Sequence, residues 1–153
     1  MDEMPDDKLN LKCWEIAGSC FASNLRRISR AINRIYDDYM RPSGIRGTQF
    51  NLLAAIFLVG PVTITKLAEV LVMDRTTLTR NLGPLQKRGY IGISFGQDQR
   101  TRVVSITDSG KRIVIEAIPL WEKAQDKITA KLGKKRVKSM LADLKAAVKL
   151  IGQ

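Results

Sequence analysis

The centre of the chain carries apolar residues at helical spacing behind a polar capping residue. Leu78, Leu82 and Leu85 recur at intervals of four and three, which predicts a helix with one buried face. Asp74 stands just before this helix, where its carboxylate can accept a hydrogen bond from a free N–H group of the first turn. Residues 65–71 form a shorter helix with the same kind of apolar face. The pattern therefore predicts two short helices joined by a tight turn.

Gly83 and Pro84 lie inside the second of these helices. Proline has no N–H to donate to the carbonyl of Arg80, and its ring clashes there, which costs ~3 kcal/mol in a helix interior. Leu82 and Leu85 nevertheless keep the apolar phase across the proline. We therefore expect a continuous but bent helix.

A strand-like pattern follows the two helices. Residues 91–95 and 103–106 are rich in Ile, Val and Phe, and a polar turn over residues 96–102 separates them. Two such runs around a turn that contains glycine predict a β-hairpin.

Long apolar stripes flank this central part on both sides. From Trp14 to Tyr39, apolar residues fall at steps of three and four, which predicts one helix of about seven turns. Further helices follow residue 110, with a bend expected at Pro119 and a break at Gly133. Such stripes exceed what a domain of this size buries in its own core. We therefore expect a homodimer.

The same pattern divides the chain into regions. Residues 1–12 contain one proline and four acidic residues, which predicts a flexible N-terminal arm. Residues 13–153 are predicted to form a single domain, in which residues 13–40 and 111–153 are dimerisation helices.

The charge of the chain indicates what kind of partner it binds. The 153 residues carry a net charge of +11, and residues 75–112 hold eight cations against two anions. Such an excess favours a polyanion, either nucleic acid or an anionic membrane surface. No apolar run approaches the ~20 residues of a membrane span, and the acidic N-terminus is unlike a signal peptide, so we expect a cytoplasmic protein without a membrane partner.

The outer side of the second helix and the turn of the hairpin are candidate DNA-binding surfaces. Hydroxyls and forked cations at a helix N-terminus suit the major groove, and arginines at a hairpin tip suit a narrow minor groove. Asp98 is placed to hold the guanidinium of Arg100 by a charge-assisted pair. Taken separately, a solvated amphipathic helix and a solvated hairpin would explain the same residues. The candidates are Arg75, Thr76, Thr77, Thr79, Arg80, Asp98, Arg100 and Arg102.

Together these segments resemble the MarR family of winged helix-turn-helix transcription regulators. The resemblance extends over roughly residues 15–150 and is carried by four runs, at residues 42–50, 73–80, 85–91 and 98–110. It implies a mainly α fold with a small β-wing (α+β), with the winged helix-turn-helix at residues 48–108 and a short third strand at residues 62–64. It also implies a homodimeric repressor or activator of transcription that binds double-stranded DNA. We expect repression, from a pseudo-palindromic operator with half-sites ~10 bp apart.

The resemblance further implies release by a small aromatic or phenolic ligand, held between the dimerisation helices and the winged region. Core packing explains each of the available aromatic residues equally well. These residues are Trp14, Phe21, Tyr36, Tyr39 and Trp121.

Thiol-based redox sensing is the alternative. Cys20 is similar in position to the reactive cysteine of the peroxide-sensing branch of the family, but Gly47 and Thr48 stand where that branch has a tyrosine. A small buried hydrophobe is the simpler role for Cys20. With no histidine and two cysteines, common zinc-ligand sets cannot be assembled from one chain, and we expect neither a metal nor a cofactor.

Two other classes of protein are less consistent with these residues. An enzyme would have to rely on scattered carboxylates, because there is no histidine, no Gly-rich phosphate loop and no nucleophile elbow. An RNA-binding module would need aromatic side chains that stack on bases, and Phe95 is the one candidate near the hairpin.

Overall fold

The computed structural model describes residues 5–151, in which seven helices surround a three-stranded antiparallel sheet. The long helices are α1 (Asp6–Ser19), α2 (Phe21–Met40), α3 (Gly47–Val59), α6 (Asp108–Leu132) and α7 (Lys134–Ile151). Two further helices, α4 (Ile64–Val70) and α5 (Arg75–Lys87), form the predicted helix pair. The strands are β1 (Val62–Thr63), β2 (Ile91–Phe95) and β3 (Arg102–Ile106), and a short 3₁₀ turn (Arg41–Ser43) follows α2. The predicted mainly α fold with a β-wing is confirmed.

The sheet has the order β1-β3-β2, so the predicted third strand pairs with the outer side of the wing. Val62 lies opposite Val104, and Ile91 lies opposite Ile106. At the far end of the hairpin, Phe95 lies opposite Arg102. The inward side chain Val104 is fully buried, which fixes the hairpin against the helices.

The core lies under the winged region. Leu78, Leu82 and Leu85 of α5 are fully buried, as their spacing predicts, and they pack with Leu53 of α3 and Leu67 of α4. Helix α5 runs through Pro84 without a break, so the predicted continuity is confirmed. The buried leucines on both sides of the proline offset its lost hydrogen bond.

The predicted single helix from Trp14 to Tyr39 is wrong. The chain turns at Cys20, which is extended with ψ 106°, and this residue separates α1 from α2. The amide of Asn24 donates to the carbonyls of Gly18 (3.2 Å) and Cys20 (3.1 Å). The low helix propensity of glycine and serine permits the break, and Asn24 supplies the carbonyls near the break with a donor.

The predicted N-terminal arm contains helical residues. Residues 1–4 lie outside the described residues, and residues 6–12 form the first part of α1. Helix α1 buries none of its residues, and it packs mainly against α2. Within residues 5–151, no helix combines the length and apolar character that a bilayer crossing requires.

Candidate nucleic-acid interface

Helix α5 begins at a side-chain cap. Asp74 Oδ1 accepts a hydrogen bond of 2.7 Å from the backbone N–H of Thr77, so one of the free donors of the first turn is satisfied. Hydrogen bonds from Thr77 lower the pKa of the Asp74 carboxyl below its ordinary value, and the positive charge of Arg80 adds a smaller lowering. Asp74 is therefore ionised at neutral pH.

The turn before α5 is tight and contains an unusual backbone conformation. Val72 has φ 51°, in the left-handed region that a β-branched residue rarely adopts. Its N–H donates to the carbonyl of Glu69 (3.1 Å), and the N–H of Met73 donates to the carbonyl of Ala68 (2.9 Å). These two bonds close the end of α4 and set the direction in which α5 leaves.

The predicted groove-facing residues of α5 lie on its outer side. Arg75, Thr76, Thr79 and Arg80 are exposed, and Thr77 is half-buried. The hydroxyl of Thr79 donates to the carbonyl of Arg75 (2.8 Å), which leaves its oxygen free to accept a hydrogen bond from a ligand.

Asp98 organises the wing turn through the backbone. Its Oδ1 accepts from the N–H of Arg100 (2.9 Å), and its carbonyl accepts from the N–H of Thr101 (2.8 Å). Its carboxylate makes no ion pair with the guanidinium of Arg100 among the described residues, so the predicted charge-assisted pair is wrong. A carboxylate two residues before an N–H is in the geometry of an Asx turn, and it satisfies the nearer donor.

A cleft of about 160 Å³ separates the start of α5 from the wing, and we call it the arginine cleft. It brings together residues that the sequence placed in separate elements. Its lining residues are Thr63, Ile64, Thr65, Arg75, Arg100, Thr101 and Arg102. On its wing side, the guanidinium of Arg102 lies 3.9 Å from the centroid of the Phe95 ring, a cation–π contact.

The arginine cleft contains functional candidates that the sequence analysis missed. Thr63 and Thr65 carried no motif, and only the fold brings them beside the arginines. The pairing of Phe95 with Arg102 could have been inferred, because the two residues flank the turn and a hairpin register places such residues opposite each other.

A larger groove of about 790 Å³ lies on the other side of α5. Two arginines and the side-chain amides of nearby residues line this groove together with an apolar floor. One of the arginines, Arg46 of the loop before α3, thus lies near Arg80. Its lining residues are Arg46, Thr48, Gln49, Asn51, Leu52, Leu71, Met73, Arg80, Asn81 and Pro84.

Arg88 connects the end of α5 to the loop that follows α2. Its guanidinium donates to the carbonyl of Gly44 (2.7 Å) and lies 5.0 Å from the centroid of the Tyr90 ring. Gly44 has φ 72°, a conformation that glycine adopts without strain. This contact fixes the C-terminal end of α5 relative to the predicted dimerisation helix α2.

The residues proposed for regulation lie elsewhere. Cys20 is half-buried at the break between α1 and α2, and Cys13 is exposed on α1, both as free thiols. Tyr36 is half-buried, and burial raises the pKa of its hydroxyl. Neither of the two cavities above is lined by Cys20 or by any of the five aromatic residues considered for an effector site. Within residues 5–151, no cluster of three or more His, Cys, Asp or Glu could hold a metal ion.

Comparison with known proteins agrees with this geometry. A sequence model of the MarR family matches residues 45–92, from the loop before α3 into β2. The transcriptional regulator MosR of M. tuberculosis, solved in complex with DNA, is 35% identical, with a TM-score of 0.75 over 86% of this chain and 98% of MosR. A mutant of MarR from E. coli, solved with operator DNA, is 23% identical and shares the fold, with a TM-score of 0.77 over 87% of this chain and 96% of MarR.

A curated relative covers a similar part of the chain. The HTH-type transcriptional regulator YwaE of Bacillus subtilis is 27% identical over 135 residues, which are 88% of this chain and 77% of YwaE. The predicted resemblance is confirmed by these matches together with the winged fold. The chain belongs to the MarR family of winged helix-turn-helix transcriptional regulators.

Proposed function

We propose that two copies of the chain bind a pseudo-palindromic operator in double-stranded DNA. Helix α5 enters the major groove of each half-site, and the tip of the wing enters the adjacent minor groove. The observation that carries the proposal is the exposed basic surface on which Arg75, Arg100 and Arg102 line one cleft and Arg80 lines the neighbouring groove. Among residues 5–151, no carboxylate oxygen lies within 4.0 Å of these four guanidinium groups, so all four remain available to phosphates and bases.

The apolar faces of the terminal helices support a homodimer as the binding species. Large apolar side chains of α1, the start of α2 and α7 remain exposed in one copy, and a second copy related by a twofold axis would cover them. These residues are Leu9, Leu11, Trp14, Ile16, Phe21, Leu25, Leu141, Leu144, Val148, Leu150 and Ile151.

The proposed outcome of binding is repression. A dimer on an operator that overlaps a promoter excludes polymerase by steric occlusion, and this requires no surface beyond the DNA interface. Activation would need an additional contact with polymerase.

The test begins with DNA selected from genomic fragments by the purified protein. Arg80→Ala is expected to weaken binding to the selected operator by about tenfold or more if Arg80 reads a base, since such contacts are worth ~1–3 kcal/mol. Arg100→Ala is expected to weaken binding most on operators with A·T-rich flanks. Fluorescence anisotropy at moderate salt measures both, with Lys123→Ala on α6 as a control that removes a cation outside the interface. Parental affinity in Arg80→Ala or Arg100→Ala would contradict the role of that residue.

Two compounds are candidates for releasing the protein from its operator. A small aromatic acid or a peroxide, added to the operator complex, distinguishes the two predicted modes. Release by the acid that persists in Cys20→Ser supports an aromatic effector, whereas release by peroxide that Cys20→Ser abolishes supports thiol sensing. If neither compound releases the DNA, both modes are wrong.

A further inference from the structure

We propose that the arginine cleft holds a single phosphoryl oxyanion, which bridges Arg75 of α5 to Arg102 of the wing. In the operator complex this anion is one backbone phosphate of the DNA in each half-site. The inference rests on the proposed function and adds to it a defined ligand for this cleft.

Charge is the first argument. Arg75, Arg100 and Arg102 come from two separate elements and line the same cleft. Among the described residues, no carboxylate neutralises any of them. Like charges that converge in a partly enclosed cleft repel each other, so an anion between them is stabilised by all three. The guanidinium fork matches the geometry of phosphate oxygens.

Preorganisation is the second argument. The ring of Phe95 contacts the guanidinium of Arg102 at 3.9 Å from its centroid, a distance at which the ring lies against the face of the cation. Stacking occupies the face of a guanidinium and leaves its N–H groups at the edge, where they can donate to an anion. Phe95 is therefore a positioning residue that acts through Arg102.

Hydroxyl groups complete the donor set. The oxygen of Thr63 accepts a hydrogen bond from the N–H of Lys66 (3.2 Å), so its own proton remains free to donate. The hydroxyl of Thr101 instead donates to the carbonyl of Asp98 (2.7 Å) and contributes no donor. Thr63 is thus suited to donate to an anion held by the arginines.

Size limits the ligand. The cleft has about 160 Å³, a volume on the order of five water molecules. This accommodates one phosphoryl group. The ligand must therefore enter as a terminal or bridging phosphate whose remaining atoms lie outside the cleft, as they do in a DNA strand.

A shared phosphate makes a specific prediction, because it couples residues on two elements. Arg75→Gln and Arg102→Gln are each expected to weaken operator binding about tenfold. The fold-loss of operator affinity in the double variant is expected to be much smaller than the product of the two single fold-losses. The second substitution then removes a contact to a phosphate that is already released. In the control pair, Arg80→Gln with Arg102→Gln, the two losses of operator affinity are expected to multiply. Multiplicative losses in the Arg75 and Arg102 pair would overturn the shared site.

Phe95→Leu separates positioning from direct contact. Because Phe95 is exposed, the substitution should leave the fold intact, which circular dichroism checks. It is expected to weaken operator binding in the parent and to have no further effect in Arg102→Gln. An equal loss in both backgrounds would show that Phe95 does not act through Arg102.

A neutral methylphosphonate, placed at one linkage of the operator at a time, locates the phosphate. One linkage in each half-site is expected to weaken binding of the parent and to have no further effect on the Arg75→Gln, Arg102→Gln double variant. If no single linkage shows this behaviour, the proposed site is wrong.

Inorganic phosphate tests the cleft without DNA. The guanidinium NMR signals of Arg75 and Arg102 are expected to shift together on titration with phosphate, and to shift little with chloride at equal ionic strength. If phosphate shifts them while no duplex DNA binds, the proposed function fails and the anion site stands. If duplex DNA binds tightly while neither phosphate nor the paired variants give the expected result, the anion site fails and the proposed function stands.

Discussion

The winged region and the terminal helices use their apolar residues in opposite ways. In α5, Leu82 is fully buried, whereas Leu144 of α7 keeps 41% of its surface exposed and Trp14 of α1 keeps 75%. The winged region therefore derives its stability from contacts within one chain. In the proposed homodimer a second copy covers the exposed apolar faces of the terminal helices, so their contribution to stability depends on protein concentration.

The charged residues divide into those that form ion pairs and those that do not. The described ion pairs, such as Lys12 with Glu15 and Lys66 with Glu69, are exposed contacts within one helix or its flank, and pairs of this kind contribute little stability. Among residues 5–151, the arginines of the proposed DNA-facing surface have no such partners; they are Arg75, Arg80, Arg100 and Arg102. The fold thus depends on apolar burial, and these four arginines remain available to bind a polyanion.

The same substitution in the two regions should separate their roles. Leu82→Ala is expected to lower the free energy of unfolding by ~2–5 kcal/mol at every protein concentration, because it leaves a cavity in the core of one chain. Leu144→Ala is expected to have a smaller effect, and its size should depend on protein concentration because the contact is between chains. Urea denaturation over a hundredfold range of concentration measures both. If Leu144→Ala lowers the free energy of unfolding equally at all protein concentrations, Leu144 lies in an intramolecular core and the two regions do not differ in this way.

Two glycines differ in how closely their surroundings are packed. A Cβ on Gly110, near the start of α6, would overlap the carbonyl oxygen of Tyr90 and lie 2.7 Å from Ile106, whereas a Cβ on Gly83 would meet nothing within 4 Å. Gly110→Ala is expected to destabilise the chain by ~1–3 kcal/mol, whereas Gly83→Ala is expected to change stability by less than ~1 kcal/mol, because the higher helix propensity of alanine is opposed by contact of its Cβ with the ring of Pro84. Thermal denaturation of the two variants tests this. Equal melting temperatures would mean that α6 is not packed tightly against the turn before β2.

The smallest expected effect concerns the cap of α5. The pKa of Asp74 is lowered in the folded chain, so its carboxylate contributes stability that is complete above its ordinary pKa near 4 and is lost as the pH falls through the lowered value. Asparagine can also cap a helix but does not titrate. The melting temperature of the parent should exceed that of Asp74→Asn by at most a few degrees at about pH 7, and the difference should shrink as the pH falls below about 4. A difference that stays constant with pH would show that the charge of Asp74 is not involved.

Particular residues show why some elements were predictable. The spacing of Leu78, Leu82 and Leu85 depends only on helical geometry, and it correctly predicted the buried face of α5 and its continuity through Pro84. The capping role of Asp74 is equally local, because the acceptor and the donor lie three residues apart.

Other features depend on competition between local partners and were predicted wrongly. Asp98 could accept from the guanidinium or from the backbone N–H of Arg100, and the folded turn brings the N–H within 2.9 Å. The apolar stripe from Trp14 to Tyr39 concealed the break at Cys20, which depends on hydrogen bonds from the side chain of Asn24. Periodicity records which residues are apolar, but it does not record where a polar side chain interrupts the helix.

The amino-acid sequence alone was enough to predict the winged helix-turn-helix, the excess of positive charge and the apolar faces of the terminal helices, because periodicity, capping and composition are local properties. The tertiary structure was needed to show that Arg75 and Arg102 line one cleft and that Arg88 reaches the carbonyl of Gly44 across 44 positions of sequence. These contacts join separate elements, and their geometry follows from the packing of the shared core rather than from any local pattern.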